Sequence, residues 1–452
     1  MGGCLSSSVR RDLRHCDSLD LDGSEVLEIE KFFELASCSL AGRGRPHPIA
    51  GGAPALHMIS SYRQAFNAAF TTERYNRLRR ELTARCGMDV PFALCETPCF
   101  FPAPLVERMG EDGKTLIRQL VGSREYRARS EASIPAQFRV PNEAAHPMFV
   151  QVDFGLVRDA TGELQPKLVE LQAFPSLYAY QSVLAQAYID TFGLSPKLQY
   201  FLSGLDSASY KRLLQDAIVA GHDPANVVLM EVHPEEQKTR PDFLLTEKLL
   251  GIRTVCTTKI RKEGRRIFYE EGGKQVPIER IYNRTIVDEL ERKGIALPFD
   301  FRDELDVEWA GHPNWYFRIS KYSIPHLKHP SVPRTWFLDQ LTEVPADLEN
   351  FVLKPLYSFA GLGVVIAPKR ADVDAIPAAK RSDYILQERL NFTPVVETPY
   401  GPTKVELRIM YVWLDELVPA LTIVRMGRGL MMGVDHNKNM QWVGSSAALI
   451  DR

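Results

Sequence analysis

A chain of 452 residues is long enough for about three domains of ordinary size, and with 45% apolar and 25% charged residues it has the make-up of a folded globular protein rather than a disordered, collagenous or fibrous one. Its 55 Lys and Arg nearly balance 57 Asp and Glu, so a net charge of −2 offers no global field for nucleic acid or an anionic membrane, and any phosphate chemistry has to be local. No apolar run reaches the roughly 18 residues of a membrane span. Seven cysteines, at 4, 16, 38, 86, 95, 99 and 256, are odd in number and scattered, which argues against a disulfide framework and for a reducing, cytoplasmic setting. Cys95 and Cys99 have no second pair or nearby His to complete a zinc site, so they are expected to be small core residues.

The first residues, Met1-Gly2-Gly3-Cys4-Leu5-Ser6, fit the pattern for myristoylation at Gly2 with Cys4 placed for palmitoylation; the plainer reading is a flexible start. LAGRGRPHPIAGGAPA, over 40–55, is rich in Gly and Pro and reads as a linker, which sets residues 1–50 apart as an appendage. Residues 51–140 are expected to be helical, with Tyr62, Phe66, Phe70, Tyr75 and Leu78 at near-helical spacing. Residues 141–200 open with two strands, FVQVDFGLV and KLVELQAF, joined by the turn Asp159–Glu163: a hairpin carrying acids. Helical patterns follow at 180–192 and 207–219. Residues 201–310 form a small open α/β unit, with NVVLMEVH and RTVCTTKI as strands around the helix RPDFLLTEKLL, then hairpin arms in RRIFYEE and VPIERIYNRTI. The basic stretch Lys259–Arg266 reads as a solvated hairpin tip. Residues 311–452 pass through a Pro- and aromatic-rich segment into β-rich units.

The stretch Phe351-Val-Leu-Lys-Pro-Leu-Tyr-Ser-Phe-Ala-Gly-Leu-Gly-Val364 carries the most chemistry. A strand ends in Lys354, a loop holds Gly361 and Gly363, and a second strand follows; glycine backbone can approach phosphate oxygens closely while a lysine supplies a point charge. It lacks the P-loop order of glycines, lysine and helix. In isolation an ordinary glycine hairpin is the readier reading. Around it, Lys321 lies fourteen residues before Thr335 in KYSIPHLKHPSVPRTWFL, and the strands YILQERL and VELRIM and Arg425 come after the loop.

In this order the features resemble the ATP-grasp superfamily. The resemblance implies that Lys321 and Lys354 hold the α- and β-phosphates of ATP and that the loop from Ser358 through Gly361 to Gly363 covers the β- and γ-phosphates. Gln387, Glu388 and Leu390 would line the adenine and ribose pocket, and Arg408 and Arg425 would neutralise the transferring phosphoryl group. Spacing to Thr335 favours Lys321 over Lys328 as the first phosphate lysine.

Only 27 residues follow Arg425; they include Asp435, Asn437 and Asn439 but no pair of carboxylate-bearing strands. The acids lie upstream instead: Asp153 in QVDFGLV, and Glu170 with Gln172 in KLVELQAFPS, where alternation puts the last two on one strand face, able to share oxygen-liganded Mg2+ with Asp153. This order resembles the circularly permuted ATP-grasp ligases related to glutathionylspermidine synthase and eukaryotic glutathione synthetase. Asp153, Glu170, Ala173, Pro175 and Ser176 match their signature, and Gln172 departs from it where those families carry Asn. The hairpin alone also reads as a surface turn with solvated acids. The implied fold is α+β or α/β, with two β-rich subdomains clasping ATP beside a small α/β domain and a helical N-terminal region.

Tyr282-Asn283-Arg284 resembles an element of other permuted members, where a guanidinium could clamp a substrate carboxylate; an inter-domain ion pair is the equal alternative. His326 and His329 are flanked by prolines, which argues against a helical metal pair. The implied activity is ATP- and Mg2+-dependent carboxylate–amine or carboxylate–thiol ligation through an acyl phosphate, on small-molecule partners. An amino acid, peptide or polyamine would be the acceptor. Rival readings are a phosphotransferase on the same fold and a nucleotide-binding protein whose metal site has decayed. Related ligases are often dimeric, so a homodimer is compatible.

Overall fold

The computed structural model describes residues 58–357 and 361–451. The Gly2/Cys4 pattern, the linker over 40–55 and Ser358 lie outside them.

The described chain starts with helices Ser60–Ala69 and Thr72–Cys86. The second begins where Thr71 Oγ1 accepts the Arg74 N–H at 3.2 Å, buries Leu78, Leu82 and Cys86 at a four-residue repeat, and ends on left-handed Gly87. The helical expectation for this region misses one strand, β1 (Cys99–Pro102), which pairs in parallel with Ala448–Asp451 at the far end of the chain. A partner some 350 residues away leaves no local trace. Cys95 and Cys99 are buried, each with its sulfur against that of Met426. Helices Ala103–Gly122 and Arg124–Ser130 complete this layer.

The acidic hairpin is present as β2 (Phe149–Arg158) and β3 (Leu164–Gln172). It supplies two strands of a five-stranded antiparallel sheet whose other three come from the end of the chain. Helices Tyr180–Phe192 and Ser207–Ile218 follow. A parallel sheet is then built from β4 (Val227–Glu231), β5 (Arg253–Cys256), β9 (Arg280–Asn283) and β10 (Glu308–Ala310), in the order β10-β9-β4-β5, with helix Arg240–Leu250 crossing from β4 to β5. The meander β6 (Arg261–Glu263), β7 (Arg266–Glu271) and β8 (Lys274–Ile278) precedes β9, and β6 with the Gly264 turn is exposed.

Next comes an antiparallel sheet of β11 (Thr335–Phe337), β12 (Phe351–Pro355), β13 (Val365–Ile366) and β14 (Tyr384–Glu388), ordered β11-β14-β12-β13. Strand alternation gives it two apolar faces: Phe351, Leu353 and Leu386 form a small core of its own, while Ile385 joins the core of the five-stranded sheet. The chain then returns to the central sheet as β15 (Lys404–Trp413), β16 (Leu417–Gly427) and β17 (Gly444–Ser446), and ends in β18 (Ala448–Asp451). Central order is β17-β16-β15-β2-β3. β2 and β15 are buried on both faces, so most of their polar residues need partners within the protein. Among the described residues no helix is long and apolar enough to cross a membrane.

Candidate functional site

Central-sheet register decides which charges meet. Asp153 on β2 stands opposite Glu170 on β3 and Arg408 on β15, and Glu406 stands opposite Arg425 on β16. The β2–β3 register slips just after Asp153, so Phe154 pairs with Leu168 and Val169 has no opposite residue. This bulge frees the Val169 carbonyl, which accepts the Lys354 ammonium at 3.2 Å and so ties the sheet of β11–β14 to the central one.

Between the central sheet, the sheet of β11–β14 and the loops after β4 and β9 lies a cavity of about 900 Å³. Its lining includes Asp153, Glu170, Gln172, Arg284, Lys321, Lys354, Gly361, Gln387, Glu388, Leu390, Arg408 and Arg425, all named from the sequence. Gly363 does not line it: with φ of 72° and Pro355 3.2 Å from where a Cβ would sit, it turns the hairpin instead. Lys328 is also elsewhere, its backbone N–H donating to Gln119 Oε1 at 3.1 Å. The two histidines part company, His326 packing among Tyr126, Tyr322 and Phe337 while His329 meets Ser331 and Asp112.

Four charged groups interlock on the cavity floor. Arg408 donates Nε and Nη2 to the two oxygens of Asp153, the second at 2.6 Å, and Nη1 to Gln151 Oε1 at 2.7 Å. Arg425 Nη1 donates to Asp153 Oδ2 at 3.0 Å and pairs with Glu406. Burial would push the Asp153 carboxyl up, but the two guanidiniums outweigh it and hold it at about 2. At Glu406 burial wins, and its carboxyl is raised.

Lys321 faces Glu170 at 3.6 Å, and Lys354 is buried so fully that its ammonium is pushed down to about 8. Arg284 is sandwiched between the Phe174 and Phe243 rings, 5.0 and 5.5 Å away, with Nε and Nη1 unpartnered in the protein. Gln387, on β14, is buried with an unpartnered Nε2. An unpartnered buried donor costs about 1–3 kcal/mol, which a ligand acceptor would return.

Glu406, Gln151 and Phe392 also line or support the site and were not named from the sequence. Glu406 and Gln151 lie two residues from Arg408 and Asp153, so strand alternation could have found both. Phe392, whose ring lies against Gly155, follows β14 in a loop and has no periodic signal.

The donors can be tested against what ATP and Mg2+ require. A nucleotide fits: the cavity is large enough, two lysines from different elements border it, and orphaned donors lie in its walls. The acids differ in what they offer a cation. Asp153 accepts three guanidinium N–H bonds, so a divalent ion on its oxygens would be pressed against two positive charges. Glu170 and the Oε1 of Gln172 do fit, since Mg2+ takes one or two carboxylates and fills the remaining positions with phosphate oxygens and water. Among the described residues no three His, Cys, Asp or Glu form a cation cage by themselves.

No protein-family profile and no curated protein matches the chain by sequence. A solved structure does match: a glutathione synthetase-like effector from Globodera pallida, in its apo form, at 10% identity, covering 84% of this chain and 96% of that one with a TM-score of 0.54. The two chains share a fold. At that identity the likeness speaks for the architecture alone.

Proposed function

We propose that the chain is an ATP-dependent ligase of the circularly permuted ATP-grasp type, joining a carboxylate to an amine or thiol. The observation that carries this reading is the convergence of Lys321, Lys354 and the Glu170 hairpin on one cavity, in a fold shared with a glutathione synthetase-like protein. Lys321 and Lys354 hold the α- and β-phosphates, the loop at Gly361 lies over the outer phosphates, and Gln387, Glu388 and Leu390 receive the base and ribose. Mg2+, held by Glu170 and Gln172 Oε1, supplies neutralisation of the phosphate charge when bound.

Arg284, with two N–H groups unpartnered between aromatic faces, orients the substrate carboxylate. A carboxylate oxygen attacks the γ-phosphorus, the bond to the β–γ bridging oxygen breaks, and ADP leaves as an acyl phosphate forms. The amine then attacks the acyl carbon, inorganic phosphate leaves, and the amine proton passes to solvent. Arg408 and Arg425 stabilise charge on the phosphoryl oxygens, and positioning carries the rest.

Thermal unfolding with ATP and magnesium tests the nucleotide site. Ligand at a hundred times its dissociation constant adds about 2.7 kcal/mol to folded-state stability. Lys354→Met is expected to lose that gain; an unchanged gain would remove Lys354 from the site. Product analysis then tests the reaction, which requires amide and ADP in equal amounts. The engagement of Asp153 by arginine favours one second reading, a nucleotide-binding protein without turnover, for which ATP binds and no ADP forms with any acid and amine.

A further inference from the structure

We propose that Asp153 is the positioning residue for the Arg408–Arg425 pair, and that the protein's share of the cation site is Glu170 and Gln172 alone. This rests on the nucleotide reading above and changes the role of one of its acids. Two guanidiniums on adjacent strands would repel each other; Asp153 stands between them and accepts from both, and Glu406 holds the outer side of Arg425. Arg425 spends only Nη1 on these carboxylates and its side chain remains 23% exposed, so Nε and Nη2 are left for an anion in the cavity it lines.

Gln151 completes the arrangement. Its Oε1 accepts from Arg408 Nη1 at 2.7 Å and from Gln172 Nε2 at 2.9 Å. The second bond fixes the Gln172 amide with Oε1 as its remaining acceptor, the atom a hard cation prefers. One glutamine thus sets both the arginine fork and the metal-side amide. Asp153 therefore governs how strongly the outermost phosphate is read, and Glu170 governs the need for a divalent ion.

Calorimetric titration of wild type, Asp153→Asn and Glu170→Gln with ATP and with ADP, across a magnesium series starting from EDTA, separates the two roles. The Asp153→Asn change keeps the side-chain volume and one oxygen acceptor for the arginines. Glu170→Gln is expected to weaken the magnesium dependence of ATP affinity by about tenfold, whereas Asp153→Asn keeps the magnesium midpoint within about twofold and lowers the ATP-over-ADP preference by about tenfold, the worth of one charge-assisted hydrogen bond. Arg425→Lys, which keeps a cation for Glu406 but loses the fork, should behave like Asp153→Asn and serves if the latter variant fails to fold.

Loss of magnesium dependence in Asp153→Asn to the same degree as in Glu170→Gln overturns the proposal, as does an unchanged ATP-over-ADP preference in both Asp153→Asn and Arg425→Lys. No ATP binding by wild type at any magnesium level defeats the nucleotide reading itself, and this inference with it.

Discussion

Lys354 shows how one burial decision couples stability to recognition. Its ammonium, pushed by burial from 10.5 to about 8, stays charged in both folded and unfolded chains below pH 8, where the full desolvation cost is present. Between about 8 and 10.5 the folded state sheds the proton that the unfolded chain keeps, so that cost fades and stability rises with pH. On the proposed nucleotide reading, ATP affinity is expected to move the other way, because the phosphate needs the cation. Relative to Lys354→Met, the wild-type protein is expected to gain melting temperature from about pH 7.5 to about pH 9 while its ATP affinity falls by up to about tenfold per pH unit above 8. Melting curves and titrations on the two proteins check both signs. A parallel pH response in Lys354→Met would assign the effect to another group. The lysine was legible in the sequence from its place ahead of the glycines; its altered proton affinity was not, because that comes from the central sheet closing over it.

At the scale of elements, the cavity is shaped by strand register and by one close approach. Gly155 in β2 lies under the Phe392 ring: a Cβ there would come within 2.4 Å of two ring carbons. Gly155→Ala is expected to cost about 1–3 kcal/mol by overpacking and to push Phe392 into the cavity it lines, lowering ATP affinity as well as melting temperature. Gly122→Ala, with nothing within 4 Å of the added carbon, is the control: at the end of its helix it should leave ATP affinity unchanged and hold or raise the melting temperature. The helices, the acidic hairpin and the β4–helix–β5 unit were readable because each carries its own period. The bulge at Val169 was not, because a slipped register between two strands of normal alternation leaves both patterns intact. Asp153 illustrates the consequence. As a residue type in an acidic hairpin it reads as a metal ligand, and only the pairing of β2 with β15 shows that Arg408 already occupies it.

Over the whole molecule, the site exists because three sheets distant in sequence share one cavity. Ligand binding should therefore stiffen them together. Amide hydrogen exchange with ATP and magnesium is expected to slow in β12 and β14, and around the arginine-bearing stretches of β15 and β16, while the β6–β8 meander, which contributes no cavity residue, exchanges unchanged. Slowing confined to the parallel sheet would move the ligand to the Arg284 side. By itself the sequence determined the residue inventory: most of the strands and helices, that a lysine heads a glycine loop, that acids sit upstream on a hairpin, and hence much of a fold that the glutathione synthetase-like neighbour shares. These are local matters, set by periodicity and by residue chemistry over a few positions. Tertiary structure alone decided which charges are spent on each other and which remain for a ligand. Asp153 is satisfied by arginines more than 250 residues away, whereas Arg284 and Gln387 are buried with donors left over. The reason is physical: a buried charge takes its meaning from its partner, and partners are chosen by packing between strands that meet only once the chain has folded.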